Sequence, residues 1–121
     1  MAWIENENID NDHCKFGPIL FKNESEMEQF MVFNWSCFFG FPFWCRQYRL
    51  NKKFRIDLLG HDPEKKIIYV IELKKGAQRS NHITQLNNYM RLLSEKAWVD
   101  DLLIKGILIN HIEDYLSVRC A

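Results

Sequence analysis

Asp57, Glu72 and Lys74 are charged residues placed where core strands should carry none. Phe54-Arg55-Ile56-Asp57-Leu58-Leu59 and Ile67-Ile68-Tyr69-Val70-Ile71-Glu72-Leu73 are β-branched and aliphatic runs, and His61-Asp62-Pro63-Glu64-Lys65 between them is turn chemistry. The stretch from Arg55 to Lys75 therefore reads as a hairpin. With its turn centred on Pro63 to Lys66, paired positions have a constant sum, so Asp57 falls opposite Glu72, Arg55 opposite Lys74 and Leu59 opposite Val70. A period of two puts Arg55, Asp57, Leu59, Val70, Glu72 and Lys74 on one face and Ile56, Leu58, Ile71 and Leu73 on the other. One face is expected to be core and the other to carry a four-charge cluster.

Like charges directly opposite on a sheet repel, so the two carboxylates need a cation, for which Arg55, Lys74 and a divalent metal are the candidates. The cluster is then either a structural ion-pair network on a half-exposed sheet or a metal site. In the second case Asp57 and Glu72, with a backbone carbonyl and waters, suit Mg²⁺ or Mn²⁺, which take few carboxylates and keep several waters. Lys74, two residues on and on the same face, is placed to hold or deprotonate a water nucleophile.

Asp57 followed by Glu72-Leu73-Lys74 resembles the signature of the PD-(D/E)XK nuclease superfamily, and Gln85-Leu86-Asn87-Asn88-Tyr89 resembles the Q-x-x-x-Y motif of its RecB-like branch. The wording RIDLLGHD, VIELKKG and TQLNNYMRLL is most similar to the C-terminal nuclease domain of the NucS (EndoMS) endonucleases, from about Glu26 to Asn110. The resemblance implies an α/β, restriction-endonuclease-like core: a central mixed four- to five-stranded sheet flanked by helices in the order αβββαβ. It also implies a Mg²⁺-dependent (or Mn²⁺-dependent) endonuclease that hydrolyses DNA phosphodiester bonds. Asp57, Glu72 and the Leu73 carbonyl would hold the metal, Lys74 would position the water, and Glu28 on the first helix would complete the site. Gln85 would contact the catalytic strand end or a phosphate, with Tyr89 supporting it on the nucleic-acid side.

Cys45-Arg46-Gln47 partly matches a Gly-Arg-Gln-like triplet of the relatives, which makes Arg46 and Gln47 substrate-side candidates, and Arg55, Lys75 and Arg79 would grip phosphates. The relatives' Gly before Arg-Ile-Asp is Phe54 here. Their further N-terminal DNA-binding domain is not in this sequence, so their mismatch specificity is not carried over. DNA is the expected partner, with RNA an open alternative, and so small a chain would gain footprint as a homodimer or beside a larger protein. Two other classes stay in play: a Holliday-junction-resolvase-like enzyme, and a non-catalytic nucleic-acid-binding or inhibitory module on a nuclease fold.

At 121 residues, 47% hydrophobic and 26% charged, the chain is expected to form one minimal nuclease domain over residues 1–121, with residues 1–22 as an N-terminal arm. No run of 18 apolar residues exists, and MAWIENENIDND is acidic where a signal peptide would be basic and then apolar, so an intracellular protein without a membrane partner is expected. Cys14, Cys37, Cys45 and Cys120 lack C-x-x-C spacing and are read as reduced thiols, and His13, His61, His82 and His111 form no ligand pair. Net charge is zero but segregated. Residues 1–45 carry −5, residues 46–79 carry +6 and residues 80–121 carry −1, so the basic third holds the candidate site.

The elements that must position these residues follow in order. Glu5 to Asp12 is a polar loop. Ser25-Glu26-Met27-Glu28 has the form of a capping box opening a helix that runs to about Phe39, ended by Gly40 and Pro42. Glu28 therefore has two competing roles, a local cap and the inward-facing acid that the resemblance implies. Phe41 to Leu50 is a half-buried or edge strand. Ser80 caps a helix burying Ile83, Leu86, Met90, Leu93 and Ala97, with Gln85 and Tyr89 together on one edge of that stripe. Leu102 to Asn110 is nearly all apolar, which points to a strand buried on both faces and paired in parallel. His111 to Ala121 is read as a short helix or tail.

Overall fold

The computed structural model describes residues 16–120. Its elements are α1 (Glu24–Phe33), α2 (Trp35–Phe38), β1 (Phe43–Arg49), β2 (Arg55–Asp62), β3 (Ile67–Lys75), α3 (Ser80–Ser94), a 3₁₀ turn (Ala97–Val99), β4 (Leu103–Ile112) and β5 (Tyr115–Cys120). The five strands form one sheet in the order β1-β2-β3-β4-β5. β3 and β4 run parallel, joined through α3, and the other neighbours are antiparallel. The mixed, helix-flanked sheet expected from the sequence is present, with β1 at one edge.

Both faces of the sheet are core, contrary to the expectation of one apolar and one charged face. Met27, Met31, Trp35, Leu58, Ile71, Leu73 and Ile109 pack together on the side of α1. Ile56, Leu59, Ile68, Val70, Leu86, Leu93 and Leu108 pack on the side of α3. Ile56 and Leu58 thus face opposite sides, so the period of two breaks at Asp57. The β2–β3 turn is as expected: Asp62 Oδ1 accepts from the Lys65 N–H at 3.0 Å, and Lys66 closes the turn with a positive φ of 57°.

Three boundaries differ from expectation. The N-cap of α1 is Asn23, whose side chain accepts from the Glu26 N–H at 2.9 Å, so Ser25 lies inside the helix and the Glu28 carboxylate is not spent on capping. Glu24 and Glu26 in the first turn also suit the helix dipole. The helix does not run on to Phe39. It stops at Asn34, which donates from its side-chain nitrogen to the Phe30 carbonyl at 3.0 Å, and restarts as α2. At α3 the N-cap is Arg79 rather than Ser80, with the His82 ring accepting from the Arg79 N–H at 3.3 Å, and Ala97 belongs to the 3₁₀ turn beyond the helix.

The C-terminal segment, expected as helix or tail, is strand β5. Glu113 at φ 56° turns the chain back, and Ile112 to Ile107 pair with Tyr115 to Cys120, which sends Leu116 and Val118 into the core beneath α1. Cys45 and Cys120 are free, whereas Cys37 is disulfide-bonded, so the expectation of reduced thiols fails there. The expected polar loop of Glu5 to Asp12 lies outside the described residues. Among those described, no helix is long and apolar enough to cross a membrane.

Helix α3 lies close on β4 at Gly106, where an added Cβ would fall 2.6 Å from Met90 Sδ and 3.1 Å from Leu86 Cδ2. Leu86 adjoins Gln85, so this contact sets the height of the Gln85–Tyr89 edge above the sheet. Gly106→Val should therefore destabilise the protein by about 1–3 kcal/mol, as overpacking does. A melting temperature unchanged from wild type would show that α3 is not seated by this contact.

Candidate active site

From Asp62↔Ile67 to Leu58↔Ile71 the β2–β3 hairpin is a regular ladder in the expected register, Leu59 facing Val70. One residue further on, carboxylates replace carbonyls. The Asp57 N–H donates to Glu72 Oε1 at 3.1 Å, and the Leu73 N–H donates to Asp57 Oδ2 at 2.9 Å. Each acid thus satisfies a backbone donor on the strand opposite its own, and the two carboxyl groups lie within hydrogen-bonding reach of each other. The strands are held by their own acidic side chains. Arg55, expected opposite Lys74, is exposed and pairs instead with Arg49 on β1.

Strand β1 breaks its alternation at the same level. Gln47, between the pairs Arg46↔Leu58 and Tyr48↔Ile56, has a φ of 54°. Cys45 and Tyr48 on either side pack toward α3, while Arg46 and Gln47 both reach α1. Arg46 Nε donates to Glu28 Oε1 and Gln47 Nε2 to Glu28 Oε2, each at 2.8 Å. Glu28 is buried at 7% exposure, so the inward-facing role is the one it adopts. A cavity of about 440 Å³ lies beside it, lined by Glu24, Ser25, Glu28, Arg46, Gln47, Asp57 and Leu73. Glu24 is a lining residue that sequence reading passed over, although its spacing of four from Glu28 puts both on one helix face.

On the α3 side, Gln85 Nε2 donates to the Tyr89 hydroxyl at 2.8 Å. Tyr89 is buried, and burial, then the negative charge of Glu72, pushes its hydroxyl above the usual range. It therefore stands behind the acids rather than on the surface. Phe54, at the position of the relatives' glycine, packs its ring 5.7 Å from that of Tyr89. Of the residues expected to grip phosphate, Arg46 lines the cavity, Arg55 and Arg79 are exposed, and Lys75 is engaged elsewhere. Its Nζ donates to the carbonyls of Phe21 at 2.9 Å and Lys22 at 3.2 Å, tying the segment before α1 to the sheet.

The electrostatics separate the three candidate cations. Burial pushes the Asp57 carboxyl upward, against the Leu73 N–H and Lys74, with Glu28 and Glu24 adding to the rise. Glu72, 2% exposed, is pushed up to about 9 by burial and then by Asp57, against the Asp57 N–H and Lys74. Arg55 relieves neither acid. Lys74 relieves both and still leaves them raised, so the pair lacks one cation, which a proton or a metal ion would supply. Among the described residues no group of three or more His, Cys, Asp or Glu could hold a metal. Two carboxylates with a backbone carbonyl and waters fit Mg²⁺ or Mn²⁺, which accept such a partial protein shell, and do not fit a closed zinc site.

A model of the family described as the endonuclease NucS C-terminal domain matches residues 23–114. Among solved structures, the crystal structure of a repair endonuclease from Pyrococcus abyssi is similar with a TM-score of 0.60 and 23% identity, over 79% of this chain and 41% of that one. The structure of an EndoMS–dsDNA complex is similar with a TM-score of 0.58 and 26% identity, over 81% of this chain and 38% of that one. The chain thus spans about two-fifths of the length of either structure. No protein of curated function matches it.

The raised acid gives stability a pH signature without metal. Glu72 binds its proton more tightly in the folded state than in the unfolded one. Its contribution is therefore complete below about pH 4.5 and lost as pH rises through about 9. Glu72→Gln keeps an acceptor for the Asp57 N–H and removes the charge. The variant should melt higher than wild type at pH 9 in EDTA by on the order of 1–3 kcal/mol, and the difference should shrink toward pH 5. Melting curves with the same pH slope in both proteins would contradict this assignment.

Proposed function

Because this chain belongs to the family of the endonuclease NucS C-terminal domain, we propose that it is a nuclease hydrolysing DNA phosphodiester bonds with a divalent cation held by Asp57 and Glu72. One observation carries this reading: the buried carboxylate of Glu72 and the half-buried one of Asp57 are fixed side by side by backbone N–H groups and lack one positive charge. Such a pair is costly as a structural device and useful as a cation cradle.

Mg²⁺ or Mn²⁺ bound there, with the Leu73 carbonyl as a further donor, would polarise the phosphate and lower the pKa of a bound water. The remaining work falls to the chain itself. The N–H groups of Asp57 and Leu73 fix the two carboxylates before any ligand arrives. Lys74 would hold the attacking water and offset charge on the phosphate. Glu28, clamped by Arg46 and Gln47, is a third carboxylate lining the same cavity as Asp57. Arg46 uses only its Nε on Glu28 among the described residues, which leaves the terminal guanidinium nitrogens for a phosphate oxygen.

DNA is the polymer we favour, since one of the similar structures is a complex with dsDNA. That substrate would place the protein inside the cell, and pairing with a second copy or a larger protein would widen its footprint. The test is cleavage of plasmid and single-stranded DNA by the purified chain with Mg²⁺, Mn²⁺ or EDTA. Cutting should need the metal and fall by on the order of a hundredfold or more in Asp57→Ala and in Lys74→Ala. A folded wild type that binds DNA without cutting it would favour a non-catalytic module, and an obligate dimer preferring four-way junctions would favour a resolvase-like enzyme.

A further inference from the structure

The end of β4 carries a buried polar residue whose side-chain oxygen neither packing nor the proposed chemistry employs. Asn110 has 0% exposure. Its Nδ2 donates to the Gly76 carbonyl at 3.0 Å, and the Gly76 N–H donates to the carbonyl of neighbouring His111 at 2.7 Å. Together these bonds clamp the loop leading from β3 into α3. The first of them also fixes the amide, turning Oδ1 away from Gly76. Asn110 Oδ1 is buried without a partner, and so is Gln78 Oε1 in the loop that Asn110 clamps. An orphaned buried acceptor is costly, and native folds keep few of them.

The register supplies that donor. Asn110 is the parallel partner of Lys74, one step beyond Leu73↔Ile109 and two beyond Glu72↔Leu108. Leu73 and Ile109 pack toward α1, so Lys74 and Asn110 share the α3 face, on strands about 4.8 Å apart. Lys74, a half-buried residue whose ammonium has three hydrogens to give, makes no hydrogen bond or ion pair among the described residues. The unpaired acceptor and the unpaired donor thus belong to partner residues on adjacent strands.

We infer that Asn110 is a positioning residue for Lys74: its Oδ1 takes one ammonium hydrogen and holds the amine at the acid pair. A lysine is a flexible point charge with a long stem, and a neutral acceptor at its flank restricts it without neutralising it. The carboxylates remain open to a cation, because Asn110 draws Lys74 to the side of Glu72 rather than between Glu72 and Asp57. The catalytic half of this inference rests on the nuclease reading. The contact between Asn110 and Lys74 does not.

The experiment compares Asn110→Leu, which removes donor and acceptor at similar volume, with Asn110→Asp, which keeps an acceptor but cannot donate to Gly76. Acetylation of Lys74 by acetic anhydride is followed by mass spectrometry in EDTA without DNA, with Lys105 in the same chain as reference. Lys74 should become about tenfold more reactive in Asn110→Leu and stay protected in Asn110→Asp. Equal reactivity in wild type and Asn110→Leu overturns the contact. Equal gains in both variants assign Asn110 to the loop clamp alone and overturn it as well. Should Asn110→Leu not fold, Asn110→Ala takes its place.

In the cleavage assay Asn110→Leu should lower kcat about tenfold with KM unchanged, and should have no further effect on Lys74→Ala. An undiminished kcat, or a loss that persists in the Lys74→Ala background, overturns the positioning role. A wild type that cuts no DNA defeats the nuclease reading, while the labelling result still decides the contact.

Discussion

Between Leu58 and Ile71 the β2–β3 hairpin is an antiparallel ladder, and one residue further on it is held by the side chains of Asp57 and Glu72. Two backbone donors would otherwise be buried unpaired, a large fraction of the stability of a small domain. The carboxylates meet that need and are fixed by meeting it. Each keeps a second oxygen for another partner, and their separation is set by the strands rather than by flexible side chains. This is preorganisation of the kind a cation site requires. Its cost is written in the raised proton affinity of both acids, which burial from two sides makes unavoidable.

The adjoining elements repeat the same device. Gln47 takes a left-handed conformation, at a cost of about 1–2 kcal/mol for a residue with a Cβ, so that it and Arg46 both reach Glu28. Two charge-assisted hydrogen bonds, each contributing about 1.5–3 kcal/mol, offset that cost. The clamp depends on the cap of α1. Had Ser25 opened the helix, the Glu28 carboxylate would have been drawn back to the backbone. Asn23 takes that duty two residues earlier, and Glu28 stays available to the cavity.

The parts legible in the sequence are those governed by apolar pattern and turn chemistry. Pro63 and the runs around it fixed the hairpin register, and LLIKGILIN declared a parallel strand because Lys105 alone interrupts its apolar run before Asn110. Leu59 and Val70 already contradicted a wholly charged face, and both proved to be core beneath α3. A positive φ at Gln47 leaves no mark in a period of two, so the break at Asp57 was not legible. Strand β5 was hidden for a related reason: its turn rests on Glu113 at positive φ, where glycine or asparagine would have announced it. Asn23-x-x-Glu26 and Ser25-x-x-Glu28 are competing caps of the same form, and local sequence does not rank them.

The segregated charge acquires a structural meaning once the strands are placed. Arg49 and Arg55 are direct partners across β1 and β2, both exposed, with Lys52 and Lys53 in the loop between them. No acid occurs from Arg46 to Ile56, and the next residue is Asp57. Paired like charges weaken a sheet, so this end of the domain carries uncompensated positive charge beside a carboxylate pair that lacks one. The two defects call for opposite partners. A phosphate backbone would satisfy the arginines and lysines, and a divalent cation would satisfy the acids. A metal-bound phosphodiester would bring both at once, so zero net charge is compatible with a polyanionic partner.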